Sequence, residues 1–221
     1  MESQTVVYYT FCFKRGKTPK EYKKYQRELA DKILTYGFQE QFGISYVKEH
    51  VMLGEHGKPV WKAHQNICYN VSNTAGLVVC ALSNLEVGVD AERICVARFP
   101  VVKHCCQTSE ISYIMGQSQK ISIEQEGKKA AQEYHKLELN AIQRQRFFQL
   151  WTLKESYIKM TGDGMYFPIR EVSFSVENEE GEREITSSQQ GFFVQKQIGK
   201  YWISLCAEEQ TDVKWQELSL L

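Results

Sequence analysis

Apolar and polar positions along this chain follow two rhythms, one of period two and one close to 3.6. Val6 to Phe13 is a run of β-branched and aromatic residues and predicts a strand. Thr18-Pro19 follows, a capping residue and then proline, the pair that opens helices. Beyond it Tyr22, Tyr25, Leu29, Ile33 and Tyr36 recur at three- and four-residue spacing, so helix is predicted to about Phe42, ending at Gly37 or Gly43. Short apolar runs at Ser45 to Leu53, Ile67 to Val71 and Gly76 to Leu82 alternate with turn-prone Gly54 to Pro59 and Ser72 to Thr74. They predict antiparallel strands beside the helix.

The same order then recurs. Val87 to Glu92 predicts a strand, Val101 to Met115 and Gln132 to Met160 predict helices, and further strands follow. Polar stretches at Gly116 to Lys129 and Glu177 to Gln190 read as a surface excursion and a hairpin or loose loop. Strand, helix, strands occurring twice is an α+β pattern and suggests a duplicated architecture.

Composition narrows the class of partner. The 221 residues suffice for one large domain or two small ones, and 43% apolar with 24% charged residues is ordinary for a globular chain. Lys plus Arg equal Asp plus Glu at 27 each, which argues against a globally basic nucleic-acid binder. Lys14, Arg15, Lys17, Lys20, Lys23, Lys24 and Arg27 form a local basic cluster, which reads as a solvated face. The seven cysteines show no Cys-x-x-Cys pair and suggest reduced thiols in a cytoplasm. No segment has the order of a signal peptide or the length of a membrane span. The five histidines show no metal-ligand spacing, and Trp151 and Tyr201 read as core residues.

Two segments carry candidate chemistry. In Gly88-Val89-Asp90-Ala91-Glu92 the carboxylates are two apart, hence on one face of a strand. Convergent carboxylates repel one another unless a cation lies between them, and a hard divalent ion is the simplest compensation. The plainer reading is a strand end with two solvated acids. In Phe147 to Lys159 the period is helical: Phe147, Leu150, Trp151, Tyr157 and Ile158 form an apolar stripe, Lys154 falls inside it, and Glu155 and Lys159 flank one edge. A lysine in such a stripe must snorkel, lose its charge or meet an anion, and phosphate would serve as well as carboxylate. The plainer reading is a snorkelling Lys154 with an exposed Glu155–Lys159 pair.

Together these segments resemble the two signatures of the Sfp-type 4′-phosphopantetheinyl transferases. Gly88 to Glu92 is similar to the family's G-x-D-x-E motif, and Trp151-Thr152-Leu153-Lys154-Glu155-Ser156 with Lys159 to its W-x-x-K-E-[SA]-x-x-K motif. Gly57-Lys58-Pro59, Tyr69-Asn70-Val71-Ser72 and Tyr201 to Ala207 resemble three further family elements in the same order. The resemblance implies a pseudo-twofold α+β fold divided near Glu86 into halves at residues 1–86 and 87–221, each an antiparallel sheet packed on a long helix, with the active site between them. It also implies transfer of phosphopantetheine from coenzyme A to a serine of an acyl or peptidyl carrier protein, releasing 3′,5′-ADP. Asp90, Glu92 and Glu155 would bind magnesium or manganese, and Asp90, Glu155 and Lys159 would carry catalysis, with Glu155 or a water as the base. Lys58, Ser72, Asn73, Lys154 and Lys159 would lie around coenzyme A. Asn73 stands where the family has a histidine, and Cys105-Cys106 precede Glu110 where it often has aromatics. A cytoplasmic monomer with no nucleic-acid or membrane partner is implied. A protein that binds coenzyme A without transferring, and a magnesium-dependent phosphoanhydride hydrolase, are the alternatives.

Overall fold

The computed structural model describes residues 4–62, 64, 66–116, 137–179 and 182–220. Strand β1 (Gln4–Phe11) leads to helix α1 (Pro19–Phe42). Thr18 and Glu21 begin that helix by a reciprocal capping box: the Glu21 carboxylate accepts from the Thr18 N–H at 2.7 Å, and the Thr18 hydroxyl from the Glu21 N–H at 3.3 Å. The helix runs through Gly37, where a Cβ would sit 2.9 Å from the Tyr8 ring, and stops at Gly43, whose φ of 68° closes the last turn. A hairpin of β2 (Val51–Leu53) and β3 (Pro59–Trp61) follows, then β4 (Cys68–Thr74), β5 (Leu77–Ser83) and β6 (Val87–Arg93). Of the strand predicted from Ser45, only the last three residues pair. Ser72 to Thr74, predicted as a turn, lie inside β4, and the reversal falls at Ala75-Gly76.

The helix predicted from Val101 to Met115 is two helices, α2 (Phe99–Cys105) and α3 (Thr108–Met115). Extended Cys106 breaks them, and a Gln107–Glu110 capping box starts the second. Helix α4 (Ala141–Thr161) begins at Asn140, which accepts from the Gln143 N–H at 3.0 Å. The polar excursion and the first residues of the helix predicted from Gln132 fall largely outside the described residues. Strands β7 (Phe174–Glu179) and β8 (Glu182–Ser187) form the hairpin expected there, and β9 (Phe192–Ile198), β10 (Tyr201–Ala207) and β11 (Asp212–Glu217) complete the fold.

Besides the two-stranded hairpins β2-β3 and β7-β8, the described residues form two larger sheets, ordered β11-β1-β5-β4 and β6-β10-β9. Alternation along β1 explains their stacking. Val6 and Tyr8 meet Leu29, Ile33 and Phe38 of α1, whereas Val7 and Tyr9 meet Val89, Ala91, Ile203 and Leu205 of the second sheet. The opposite face of that sheet carries α4, where Trp202 packs with Leu150 and Leu153. The layers therefore run α1, sheet, sheet, α4, an α+β architecture whose central strands are buried on both faces and read as unbroken apolar runs. Each fully buried Leu, Ile or Phe contributes roughly 1.5–3 kcal/mol.

The expected halves differ in one respect from the observed sheets. Strand β11, from the second half, pairs with β1 in the first sheet, and the two run parallel, so that sheet is mixed rather than antiparallel. The Thr10 hydroxyl donates to the Leu218 carbonyl at 2.7 Å and helps hold the returning segment. Four strands in one sheet and three in the other leave the halves alike in their helix-on-sheet layering but unequal in topology. Among the described residues no helix is long and apolar enough to cross a membrane.

Candidate active site

Strand β6 and helix α4 cross in close contact because Gly88 has no side chain. A Cβ there would lie 2.1 Å from the Ser156 carbonyl oxygen and 2.3 Å from the Met160 nitrogen. Two residues along the same strand face, Asp90 therefore meets the helix stripe that carries Trp151, Glu155 and Lys159 at intervals of four. Ser72, Asn73, Asp90, Glu92, Glu155 and Lys159 line one polar cavity of about 290 Å³. The family resemblance implies a site role for all six, and the fold brings them together in one cavity.

The charges in this cavity are unevenly compensated. The Lys159 ammonium donates to Asp90 Oδ1 at 2.6 Å and to the Ser72 hydroxyl at 3.1 Å, so it turns to the strand rather than forming the exposed pair of the plainer reading. Ser72 donates to the same Asp90 oxygen at 2.9 Å, while Asp90 Oδ2 is buried without a hydrogen-bond partner. Burial, then the Asp90 charge, pushes the Glu92 carboxyl up to about 7. The same two causes raise Glu155, against the lowering effect of Lys159. Three carboxylates against one ammonium leave an excess of negative charge in a partly desolvated site.

That donor set fits a hard divalent cation. All the donors are oxygens, and the orphaned Asp90 Oδ2 lacks the partner a cation would supply. As they stand, the described residues contain no group of three His, Cys, Asp or Glu side chains closed tightly enough to hold a metal. Asp90, Glu92 and Glu155 line one cavity without forming a ready-made cage, and Lys159 occupies the other Asp90 oxygen.

Two lysines expected around a coenzyme lie elsewhere. Lys154 is fully buried; its ammonium pairs with Glu110 at 2.8 Å and donates to the Val172 carbonyl. An anion does meet the lysine in the apolar stripe, but it is the protein's own carboxylate. Lys58 pairs with Glu86 at the start of β6 and donates to the Met160 carbonyl at 2.6 Å, clamping the end of α4 to the strand. Neither lines the polar cavity.

Two residues at the site were not among the expected site residues. Trp151, read as core, is half-buried and stands where the polar cavity meets an apolar cleft of about 600 Å³. Ile158, Phe167 and Pro168 line that cleft, with Glu155 and Lys159 at the shared end. Thr74 donates to Glu92 Oε2 at 3.0 Å. Its signal was the period-two repeat Asn70, Ser72, Thr74, a polar row on a strand otherwise bound for the interior.

A polar cavity with an excess of carboxylates opens into an apolar cleft, an arrangement that suits a cation-associated polar group carrying a longer apolar arm. Comparison with known proteins bears on which. Residues 86–206 match the model of the 4′-phosphopantetheinyl transferase superfamily. The chain is similar to the 4′-phosphopantetheinyl transferase gsp of Aneurinibacillus migulanus, at 33% identity over 115 residues, 52% of this chain and 39% of that protein. It is similar also to a 4′-phosphopantetheinyl transferase of Bacillus subtilis, at 25% identity over 166 residues, 74% of this chain and 64% of the relative. The Sfp enzyme of Bacillus subtilis strain 168 matches at 24% identity over 166 residues, with the same shares of 74% and 64%. The matched stretches thus cover between two-fifths and two-thirds of these three relatives.

Proposed function

Because this chain belongs to the 4′-phosphopantetheinyl transferase superfamily, we propose that it moves the phosphopantetheine arm of coenzyme A onto a serine of an acyl or peptidyl carrier protein. The observation that supports this most directly is the cavity in which Asp90, Glu92, Glu155 and Lys159 converge around a buried, unpartnered carboxylate oxygen. Asp90, Glu92 and Glu155 would hold magnesium or manganese, which supplies neutralising charge to the diphosphate oxygens of coenzyme A. We take residues 1–86 and 87–221 as the halves of a duplicated fold, and the active form as a cytoplasmic monomer. All seven cysteines are free, in keeping with a reducing compartment.

Within that reading the residues divide the work. Lys159 neutralises a phosphoryl oxygen, and Asn73, at the exposed rim, donates a hydrogen bond to the phosphates. The apolar cleft beside Trp151 receives the arm. Glu155, or a water in the same cavity, takes the proton of the carrier serine as the serine oxygen bonds to the β-phosphorus. The bond from that phosphorus to the oxygen bridging it to the α-phosphate breaks, and 3′,5′-ADP leaves with the electron pair. Positioning and charge neutralisation carry most of such a transfer, which matches a site rich in fixed charge.

Intact-mass spectrometry of an apo carrier protein incubated with this protein, coenzyme A and magnesium is expected to show a gain of one phosphopantetheine. Coenzyme A bound with several carriers left unmodified would instead establish a binding protein, and products released without a carrier would establish a hydrolase.

The raised Glu92 and Glu155 carboxyls give a second expectation. Both are protonated in the folded chain at pH values where the unfolded chain has lost those protons. Their contribution to stability is therefore greatest below about 4.5 and is lost as pH rises to about 7 in the case of Glu92. A divalent cation reverses this loss, because it binds the ionised forms. With Mn²⁺ near 100 times its Kd, about 2.7 kcal/mol is gained, a Tm rise of ~5–10 °C at pH 8 and a smaller one at pH 5.5. Scanning calorimetry at both pH values checks it; an equal rise at both would remove the carboxylates as the binding groups.

A further inference from the structure

One edge of β6 is bonded to β10; the other faces β4, and the contact between those two strands is made by side chains instead of a backbone ladder. Asn70 Oδ1 accepts from the Val89 N–H at 3.0 Å, the Ser72 hydroxyl from the Ala91 N–H at 3.2 Å, and the Thr74 hydroxyl from the Arg93 N–H at 3.3 Å. Residues at i, i+2 and i+4 of one strand thus satisfy alternate N–H groups of the next.

The two hydroxyl rungs have a second end. A hydroxyl has one proton, and a backbone N–H that donates to its oxygen leaves that proton free to point away. The Thr74 proton goes to Glu92 Oε2 at 3.0 Å and the Ser72 proton to Asp90 Oδ1 at 2.9 Å. Each hydroxyl therefore bridges a β6 N–H and the acidic side chain one residue before it. Asn70 makes the same backbone bond without touching a carboxylate, so the row contains its own structural control.

We propose that Thr74 is a positioning residue for Glu92: its hydroxyl, oriented by the Arg93 N–H, holds the Glu92 carboxylate aimed into the cavity for a divalent cation. The proposal rests on the cation reading above. Removing a hydrogen-bonding partner of a metal ligand typically lowers metal affinity by about 10–100-fold. Thr74→Val keeps the side-chain shape and loses both bonds, whereas Thr74→Ser keeps both.

The test is calorimetric titration of the full chain with Mn²⁺, without coenzyme A or carrier, alongside Tm measurements. Thr74→Val is expected to weaken Mn²⁺ binding about tenfold, Thr74→Ser to stay within about threefold of wild type, and Asn70→Ala to lower Tm while leaving Mn²⁺ affinity within about threefold. Thr74→Val binding Mn²⁺ as wild type does, or Asn70→Ala losing as much affinity, would overturn the positioning role while the cation site stands. A wild-type chain that takes no Mn²⁺ would overturn the cation reading, and the role of Thr74 with it.

Discussion

Asp90→Asn is expected to reduce carrier modification by about 10³-fold while the chain remains folded. The substitution preserves shape and removes one charge from the group at the centre of the site, the one bonded to Lys159 and Ser72 and carrying the unpartnered oxygen. A bound cation supplies several kcal/mol of charge stabilisation in phosphoryl transfer, and ~4 kcal/mol corresponds to about three powers of ten in rate. Stability should move the other way. The Asp90 charge raises both Glu92 and Glu155, so its removal relieves repulsion, and the asparagine oxygen still accepts from Lys159 and Ser72. Single-turnover rates by mass spectrometry, with near-ultraviolet circular dichroism as the folding control, decide it. A variant within fivefold of wild type would show that the carboxylate is not needed.

Glu110→Ala is expected to have the largest effect on stability. Glu110 and Lys154 are both fully buried, 2.8 Å apart, and join three elements. The carboxylate accepts from the Gln107 N–H at 2.8 Å, starting α3, and from the Phe174 N–H at 3.0 Å, where β7 begins, while Lys154 holds the middle of α4. Replacing a buried pair with apolar residues is often neutral, but removing one partner leaves an uncompensated charge and costs about 3–5 kcal/mol. Against the roughly 5–15 kcal/mol that holds a domain folded, this is a large fraction. Urea unfolding should show the lower midpoint at unchanged slope. Glu110→Ala with Lys154→Met should regain part of the loss, but not all, because the two N–H groups and the Val172 carbonyl remain unsatisfied. Additive single-variant effects would mean the ion pair contributes nothing of its own. Glu155 follows Lys154 on the helix, so the single variant should also slow transfer by displacing the α4 stripe.

Much of the architecture was legible because local patterns and tertiary demands agree. The Thr18-Pro19 opening, the three- and four-residue spacing of α1 and the β-branched run of β1 each predicted the element found. The misreadings have physical causes. Polar Ser72, Asn73 and Thr74 look like a turn because strand polarity usually signals solvent, whereas here two of them face another strand edge whose N–H groups they satisfy. Val101 to Met115 keeps a helical period across Cys106, yet the Gln107–Glu110 capping box starts a new helix there. Trp151 sits in an apolar stripe, but the stripe passes from core to cleft along its length.

By itself the sequence determined the α+β class, the two carboxylates on one strand face and the helix that supplies Glu155 and Lys159, because these depend on short-range periodicity and on residues close together in the chain; the superfamily came from the resemblance of its motifs. The tertiary structure decided which charges meet. The helical stripe places Lys154 inside and Lys159 at its edge, but nothing local names Glu110 as the partner of the first or Asp90 as the partner of the second. It decided also that β11 returns to β1, and that Thr74 reaches Glu92. Such pairings lie far apart along the chain and are fixed only when packing settles which buried polar group can satisfy which.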